Sequence, residues 1–131
     1  MNILLTGGTG FFGKSILAWL KQQQKLIDNL FILSRNPDVL SNYFDIQSFP
    51  FNIIYVPQNI CDPISISESV DYIIHAATET KTSLSELDPI LLHEVIVTGT
   101  KQVLDFAIQN HVKRVLYISS GAVYGKLNQT L

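Results

Sequence analysis

Charge is scarce in this sequence. Only 15% of its 131 residues are Asp, Glu, Lys or Arg, against about 25% in an ordinary globular domain. Nine basic and eleven acidic side chains leave a net charge of −2, which excludes a basic nucleic-acid binder working through phosphate contacts. The single cysteine, Cys61, excludes an internal disulfide and a cysteine-rich zinc site. No apolar run approaches the ~20 residues that span a bilayer, and MNILLTGGTG lacks the basic start and long apolar stretch of a secretory signal. What is present is apolar: 47% of residues are hydrophobic. A chain of this length buries roughly two-thirds of its unfolded surface, so disorder and a coiled coil are excluded as well. The expectation is one soluble, cytoplasmic globular domain with neither a membrane nor a nucleic-acid partner.

Short β-branched runs alternate with longer helical patterns, as they do in a parallel α/β sheet. Asn2–Thr6 (NILLT) barely alternates and predicts a strand buried on both faces. Phe11–Gln24 predicts a helix whose apolar stripe is Phe12, Ile16, Trp19 and Leu20. Further strands are expected at Leu30–Ser34, Asn52–Pro57, Tyr72–Ala76 and Arg114–Ser119, with a short helical turn within Pro37–Phe44 and the longest helical pattern over Ser85–Asn110. There is no internal repeat, low-complexity segment or charge run, and the stretch at 45–51 is a loop. Five strands with intervening helices predict a Rossmann-like, doubly wound parallel sheet in the order 3-2-1-4-5, layered α/β/α. The ligand crevice then lies at the carboxyl ends of the first and fourth strands.

Four of the seven glycines fall in TGGTGFFG, between the first predicted strand and its helix. Gly8, Gly10 and Gly13 fit G-x-G-x-x-G, whereas Gly7, Gly10 and Gly13 fit G-x-x-G-x-x-G. Either spacing permits a tight turn and brings backbone N–H groups, those of Phe11 and Phe12 included, close to a pyrophosphate at the positive end of the helix dipole. The bland alternative is a tight turn without a ligand. Dinucleotide sites commonly place an acid about 20 residues further on to hold the adenosine ribose. Here the second strand ends Leu33-Ser34-Arg35-Asn36, with no acid, and Asp28 precedes that strand at the wrong edge. Ser34 can hydrogen-bond a 2′-phosphate and Arg35 can pair with it, which favours NADP over NAD. The alternative for Arg35 is stacking on adenine or pointing into solvent.

These residues resemble the short-chain dehydrogenase/reductase superfamily, in particular its extended branch of NAD(P)-dependent nucleotide-sugar epimerases, dehydratases and reductases. TGGTGFFG is similar to the branch's TGxxGxxG loop. Gln58-Asn59-Ile60 stands where the family often has Gly-Asp-Ile, with Asn59 replacing the Asp that binds adenine. Tyr72–Ala77 (YIIHAA) resembles the fourth-strand motif that lines the cofactor, which implies contacts from Ala76, Ala77 and Thr78, as Ile60 does after the third strand. Val97–Thr100 (VTGT) resembles N-V-x-G-T, with Ile96 in place of its Asn, a change that implies an altered active site. Ser119–Gly125 (SSGAVYG) resembles S-S-x-x-V-Y-G. The resemblance implies that Ser120 is the catalytic Ser, holding the oxygen being oxidised or reduced.

The family's acid/base is a Tyr in Y-x-x-x-K, and none of the five tyrosines here has Lys at the fourth position. Tyr124 belongs to V-Y-G and is not that residue. The chain is therefore read as the N-terminal, NAD(P)-binding part of an enzyme, 1–131, without its substrate domain and inactive alone. Dehydratases carry Asp-Glu where this sequence has Gly121-Ala122, so epimerase or 4-keto reductase chemistry is favoured. Two rivals are a fatty acyl-CoA reductase-like member and a non-catalytic NADP-binding sensor or docking module. No metal site is expected. His75 is read as packed rather than catalytic, His93 and His111 as surface or capping residues, Cys61, Phe11 and Phe12 as packing. The 85–110 helix is apolar on several sides, which needs cover beyond one sheet; the family pairs this helix, which implies a homodimer.

Overall fold

The computed structural model describes residues 1–23, 26–77 and 89–120. Strands β1 (Asn2–Thr6), β2 (Asn29–Ser34), β3 (Asn52–Pro57), β4 (Tyr72–His75) and β5 (Arg114–Tyr117) form one sheet in the order β3-β2-β1-β4-β5. Every pairing is parallel, so the expected doubly wound order is the one adopted. Helix α1 spans Phe11–Leu20 and helix α2 spans Pro89–Gln109. The helical turn expected in Pro37–Phe44 is a 3-10 turn at Pro37–Asn42. The two last strands end earlier than expected, β4 at His75 and β5 at Tyr117. Beyond His75 the Ala77 N–H turns to the Thr6 side chain.

Alternate residues of the central strands face opposite sides, and each side has its own core. Ile3 and Leu5 of β1 and Leu30 and Ile32 of β2 pack with Leu17 and Leu20 of α1 and with Leu40 and Phe49. Leu4, Phe31, Leu33 and Ile73 pack on the other face with Val103, Phe106 and Ala107 of α2. Burial on both faces explains why β1 and β2 read as continuous apolar runs.

The stripe expected on α1 is met at Leu20, which is buried, and at Ile16, which packs against the core, and is corrected at the other two positions. Phe12 and Trp19 are 58% and 59% exposed, and the buried residues are Gly13, Leu17 and Leu20. The cause is Gly13, which presses against the preceding loop and sets the buried meridian of the helix. Phe12 and Trp19 then stand about 100–120° away from it at 100° per residue.

The amino edge of the sheet is knitted by side-chain amides. Asn2, Asn29 and Asn52 are register partners on β1, β2 and β3. Asn52 Nδ2 donates to Asn29 Oδ1 at 3.1 Å, Asn29 Nδ2 to Asn2 Oδ1 at 2.9 Å, and Asn2 Nδ2 to the Ser69 carbonyl at 2.8 Å. Asp71 continues the edge: it accepts the Asn2 N–H at 2.8 Å and pairs with Lys113 at 2.7 Å. Asp28, bonded to the N-terminal ammonium, lies at this edge too, away from the carboxyl ends of the strands.

Candidate cofactor site

β1 ends at Thr6 and the chain turns sharply through Gly7, whose φ of +71° is one that favours glycine. The turn is packed backbone against backbone. A Cβ on Gly7 would stand 2.5 Å from the Ala76 carbonyl oxygen, and one on Gly13 would stand 2.3 Å from the Gly7 oxygen and 2.5 Å from Gly8 Cα. Gly8 is buried, and a Cβ there would stand 2.7 Å from Ile32 Cγ2, so Gly7, Gly8 and Gly13 are the positions of the loop at which packing excludes a side chain. Gly10 donates to the Gly7 carbonyl at 3.0 Å and accepts from Lys14 N–H at 3.0 Å. As the N-cap of α1, Gly10 offers no side-chain cap, and the first turn contains no acid. The first-turn N–H groups are therefore orphan donors at the positive end of the helix dipole.

The ends of three strands meet around this turn. Gly7 N–H donates to the Leu33 carbonyl at the end of β2, and Ala76 N–H donates to the Thr6 carbonyl, both at 3.2 Å. The Thr6 hydroxyl accepts the Ala77 N–H at 3.2 Å and lies 2.6 Å from His75 Nδ1. The other ring nitrogen, Nε2, lies 3.3 Å from Thr100 Oγ1 on α2. His75 is 3% exposed and its ring is tilted on Tyr117 at 5.4 Å between centroids. Burial lowers its pKa below the ordinary 6.5. The expectation of a packed histidine is thus met, with both ring nitrogens engaged.

The remaining residues singled out from sequence fall as follows. Ser34, half-buried at the end of β2, sits with its Oγ 3.1 Å from Thr9 Oγ1 of the glycine loop. Arg35 is exposed directly after it. Asn59 is exposed, and its amide oxygen accepts the Cys61 N–H at 3.1 Å. Ile60 is buried, and Gly99 of α2 comes so close that a Cβ there would lie 3.1 Å from Ile60 Cγ2. Ser120 is exposed three residues beyond β5, on the edge where Ile118 N–H bonds the His75 carbonyl at 3.0 Å. Thr78 and the segment Gly121–Gly125 lie outside the described residues.

Two aromatic expectations are corrected. Phe11 and Phe12 are not packing residues: they stand 77% and 58% exposed at the mouth of the loop, edge to face at 5.5 Å. Cys61 is half-buried, with its thiol pKa raised by burial first and then by Glu94 and Asp62, against an opposing pull from Arg35. That shift disfavours the thiolate and fits a packing role. Among the described residues no three His, Cys, Asp or Glu side chains cluster as metal ligands.

The sequence matches the model of the NAD dependent epimerase/dehydratase family over residues 3–130. The chain belongs to this family. Among epimerase/dehydratase relatives it is 28% identical to the UDP-glucose 4-epimerase of Halalkalibacterium halodurans over 131 residues, covering 96% of this chain and 36% of the relative. It is 30% identical to the inverting UDP-N-acetylglucosamine 4,6-dehydratase of Campylobacter jejuni, covering 97% of this chain and 38% of the relative. The crystal structure of the dTDP-glucose 4,6-dehydratase of Streptomyces venezuelae, which has NAD bound, superposes with a TM-score of 0.78 at 27% identity, covering 99% of this chain and 42% of that one. The chain thus spans about two-fifths of the length of the relatives it matches.

Three threonines, Thr6 and Thr9 of TGGTGFFG and Thr100 of VTGT, make contacts that the motifs did not foretell. Thr6 and His75 are register partners on adjacent strands; the strand order made β1 and β4 neighbours, and the register that sets these two side by side came only with the structure. Thr9 touches Ser34 only because the glycine loop folds back over β2. Thr100 had a weaker signal, its place one residue after Gly99 on the face of α2 that meets the sheet.

Proposed function

We propose that the crevice at the carboxyl ends of β1, β2 and β4 binds a nicotinamide dinucleotide, NADP in preference to NAD. The observation that carries this reading is the contact of Gly7 and Gly13 backbone against backbone, which leaves no room for a side chain and opens the α1 N-terminus to a pyrophosphate. Gly10 and the N–H groups of Phe11, Phe12 and Gly13 would cradle it. The converging hydroxyls of Ser34 and Thr9, the guanidinium of Arg35 and the lack of an acid after β2 support the 2′-phosphate. Asn59 and Ile60 would flank the adenine end, and Ala76, Ala77 and Thr78 the nicotinamide end. Titration of the 131-residue chain tests this: NADP should bind several-fold more tightly than NAD, and Arg35→Ala should erase the difference. A preference for NAD overturns the assignment of Ser34 and Arg35.

The whole protein is proposed to act on a nucleotide sugar as an epimerase or 4-keto reductase. Gly121-Ala122 in place of an Asp-Glu pair supports this over dehydration. Bound nicotinamide supplies hydride exchange at a sugar carbon, and Ser120 would hold the oxygen on that carbon. A Tyr-x-x-x-Lys pair to move the proton is not among these 131 residues, and the greater length of the relatives supports placing it elsewhere in the protein. The 131-residue chain by itself is proposed to be inactive. We place the protein in the cytoplasm; no described helix is long and apolar enough to cross a membrane. A homodimer through α2 is supported by Ile90, Val97, Leu104 and Ile108, which are 47–74% exposed and fall within about 40° of one another on the helix.

A further inference from the structure

The contacts of the two His75 ring nitrogens, with Thr6 Oγ1 and Thr100 Oγ1, favour one tautomer. Thr6 Oγ1 already accepts the Ala77 N–H, and a hydroxyl has a single hydrogen to give. The acceptor in reach is His75 Nδ1 at 2.6 Å, a short distance of the kind O–H donors make. With Nδ1 accepting, a neutral ring carries its proton on Nε2 and donates it to Thr100 Oγ1. In the other tautomer the Thr6 oxygen would take both the Nδ1–H and the Ala77 N–H on its two lone pairs, and the Thr6 hydrogen would lose His75 Nδ1 as its acceptor. The far side of the same peptide is equally constrained, because Gly7 sits so close to Ala76 C and O that no Cβ fits between them.

We propose that His75 is a positioning residue for the crevice: as a neutral imidazole protonated on Nε2 it holds the Thr6 hydroxyl hydrogen, presents the Thr6 oxygen to the Ala77 N–H, and so fixes the Ala76–Ala77 peptide plane against Gly7. Its consequence for a ligand rests on the dinucleotide reading above; its consequence for the peptide does not. A histidine that only filled space would carry no tautomer preference that matters to Ala77.

Long-range nitrogen–proton correlation spectra of the ¹⁵N-labelled 131-residue chain read the ring directly. At neutral pH His75 should be neutral with its proton on Nε2; a proton on Nδ1, or on both nitrogens, overturns the proposal. His75→Asn keeps a carboxamide oxygen near the position of Nδ1, able to accept from Thr6. It should hold the Ala77 amide exchange rate and NADP affinity within about three-fold of the parent. His75→Leu has no acceptor, and should speed Ala77 exchange and weaken NADP by about ten-fold, the worth of one neutral hydrogen bond. Equal behaviour of the two variants overturns the proposal. If His75→Leu does not fold, Thr6→Val serves, since it removes the hydroxyl and leaves the ring in place; unchanged exchange and affinity in that variant also overturn it. Should the unsubstituted chain bind neither NADP nor NAD, the dinucleotide reading falls, and the tautomer and exchange measurements still decide the role of His75.

Discussion

A methyl group added at Gly13 and one added at Gly10 would do different things, although both residues belong to one loop. At Gly13 it would meet the Gly7 oxygen and Gly8 Cα at 2.3 and 2.5 Å, and backbone cannot swing aside as a side chain can. Overpacking of this kind costs about 1–3 kcal/mol, more than the ~1 kcal/mol that Ala gains over Gly inside a helix. Gly13→Ala should therefore lower the stability measured by urea denaturation despite its better helix propensity. Gly10 has an ordinary extended backbone, φ −77° and ψ −179°, and its nearest contact is the Gly7 oxygen at 3.3 Å. Gly10→Ala should leave stability within about 1 kcal/mol of the parent and, if the proposed dinucleotide site holds, act instead on NADP affinity, because Gly10 lies on the proposed approach of the pyrophosphate. Equal loss of stability in both variants would count against this division. At this scale the sequence showed which residues matter better than what they touch. Gly7, Gly10 and Gly13 were legible from spacing, whereas the engagement of the Asn59 oxygen by Cys61 N–H depends on a turn that spacing does not encode.

Helix α2 is apolar on two opposite sides for two different reasons. Val103, Phe106 and Ala107 are buried against the sheet, while Val97, Leu104 and Ile108 are 50%, 47% and 74% exposed. Val103→Ala should cost about 2 kcal/mol, from lost burial and the cavity left behind. Leu104→Glu should leave monomer stability nearly unchanged and shift the mass seen by light scattering on the whole protein from dimer to monomer. A whole protein that is monomeric without the substitution would remove the dimer. All five strands were legible, Asn2–Thr6 and Asn52–Pro57 to the residue, whereas β2 starts one residue earlier and β4 and β5 end earlier than the apolar runs predicted. The orientation of α1 was half legible: Ile16 and Leu20 lie toward the core as expected, while Phe12 and Trp19 carry a strong apolar signal and face out, because the meridian runs through Gly13, which carries none. The same apolar count predicts exposed apolar residues on α2, and Val97, Leu104 and Ile108 are such residues.

Across the whole molecule, pH should act through groups at opposite edges of the sheet. Burial lowers the His75 pKa below 6.5. Between the lowered value and 6.5 the unfolded chain holds a proton that the folded chain does not, so stability falls as pH drops below 6.5 and stops falling once the folded value is passed. The Lys113 hydrogen bond and the Asn2 N–H hold the Asp71 carboxyl below its ordinary 3.8, a contribution present above 3.8 and lost as pH falls beneath it. The Asp71 hydrogen bond raises Lys113 above 10.5, a contribution present below 10.5 and lost as pH rises beyond it. Denaturation midpoints followed against pH should decline first below 6.5, and His75→Asn should flatten that first decline while leaving the one below 3.8. An unaltered profile in the variant would assign the decline to another group.

The three asparagines of the amino edge hold the register of β1, β2 and β3 from the end of the sheet remote from the glycine turn. The three strands are thus anchored at one end by amides that bond one another, while at the other end β1 runs into the turn that leads to the uncapped N-terminus of α1. The anchored end can therefore be trimmed or strengthened without touching the proposed dinucleotide crevice. A family that keeps one sheet while varying its substrates is well served by such a separation, and anyone hardening this domain for use should begin among the asparagines and leave the turn alone.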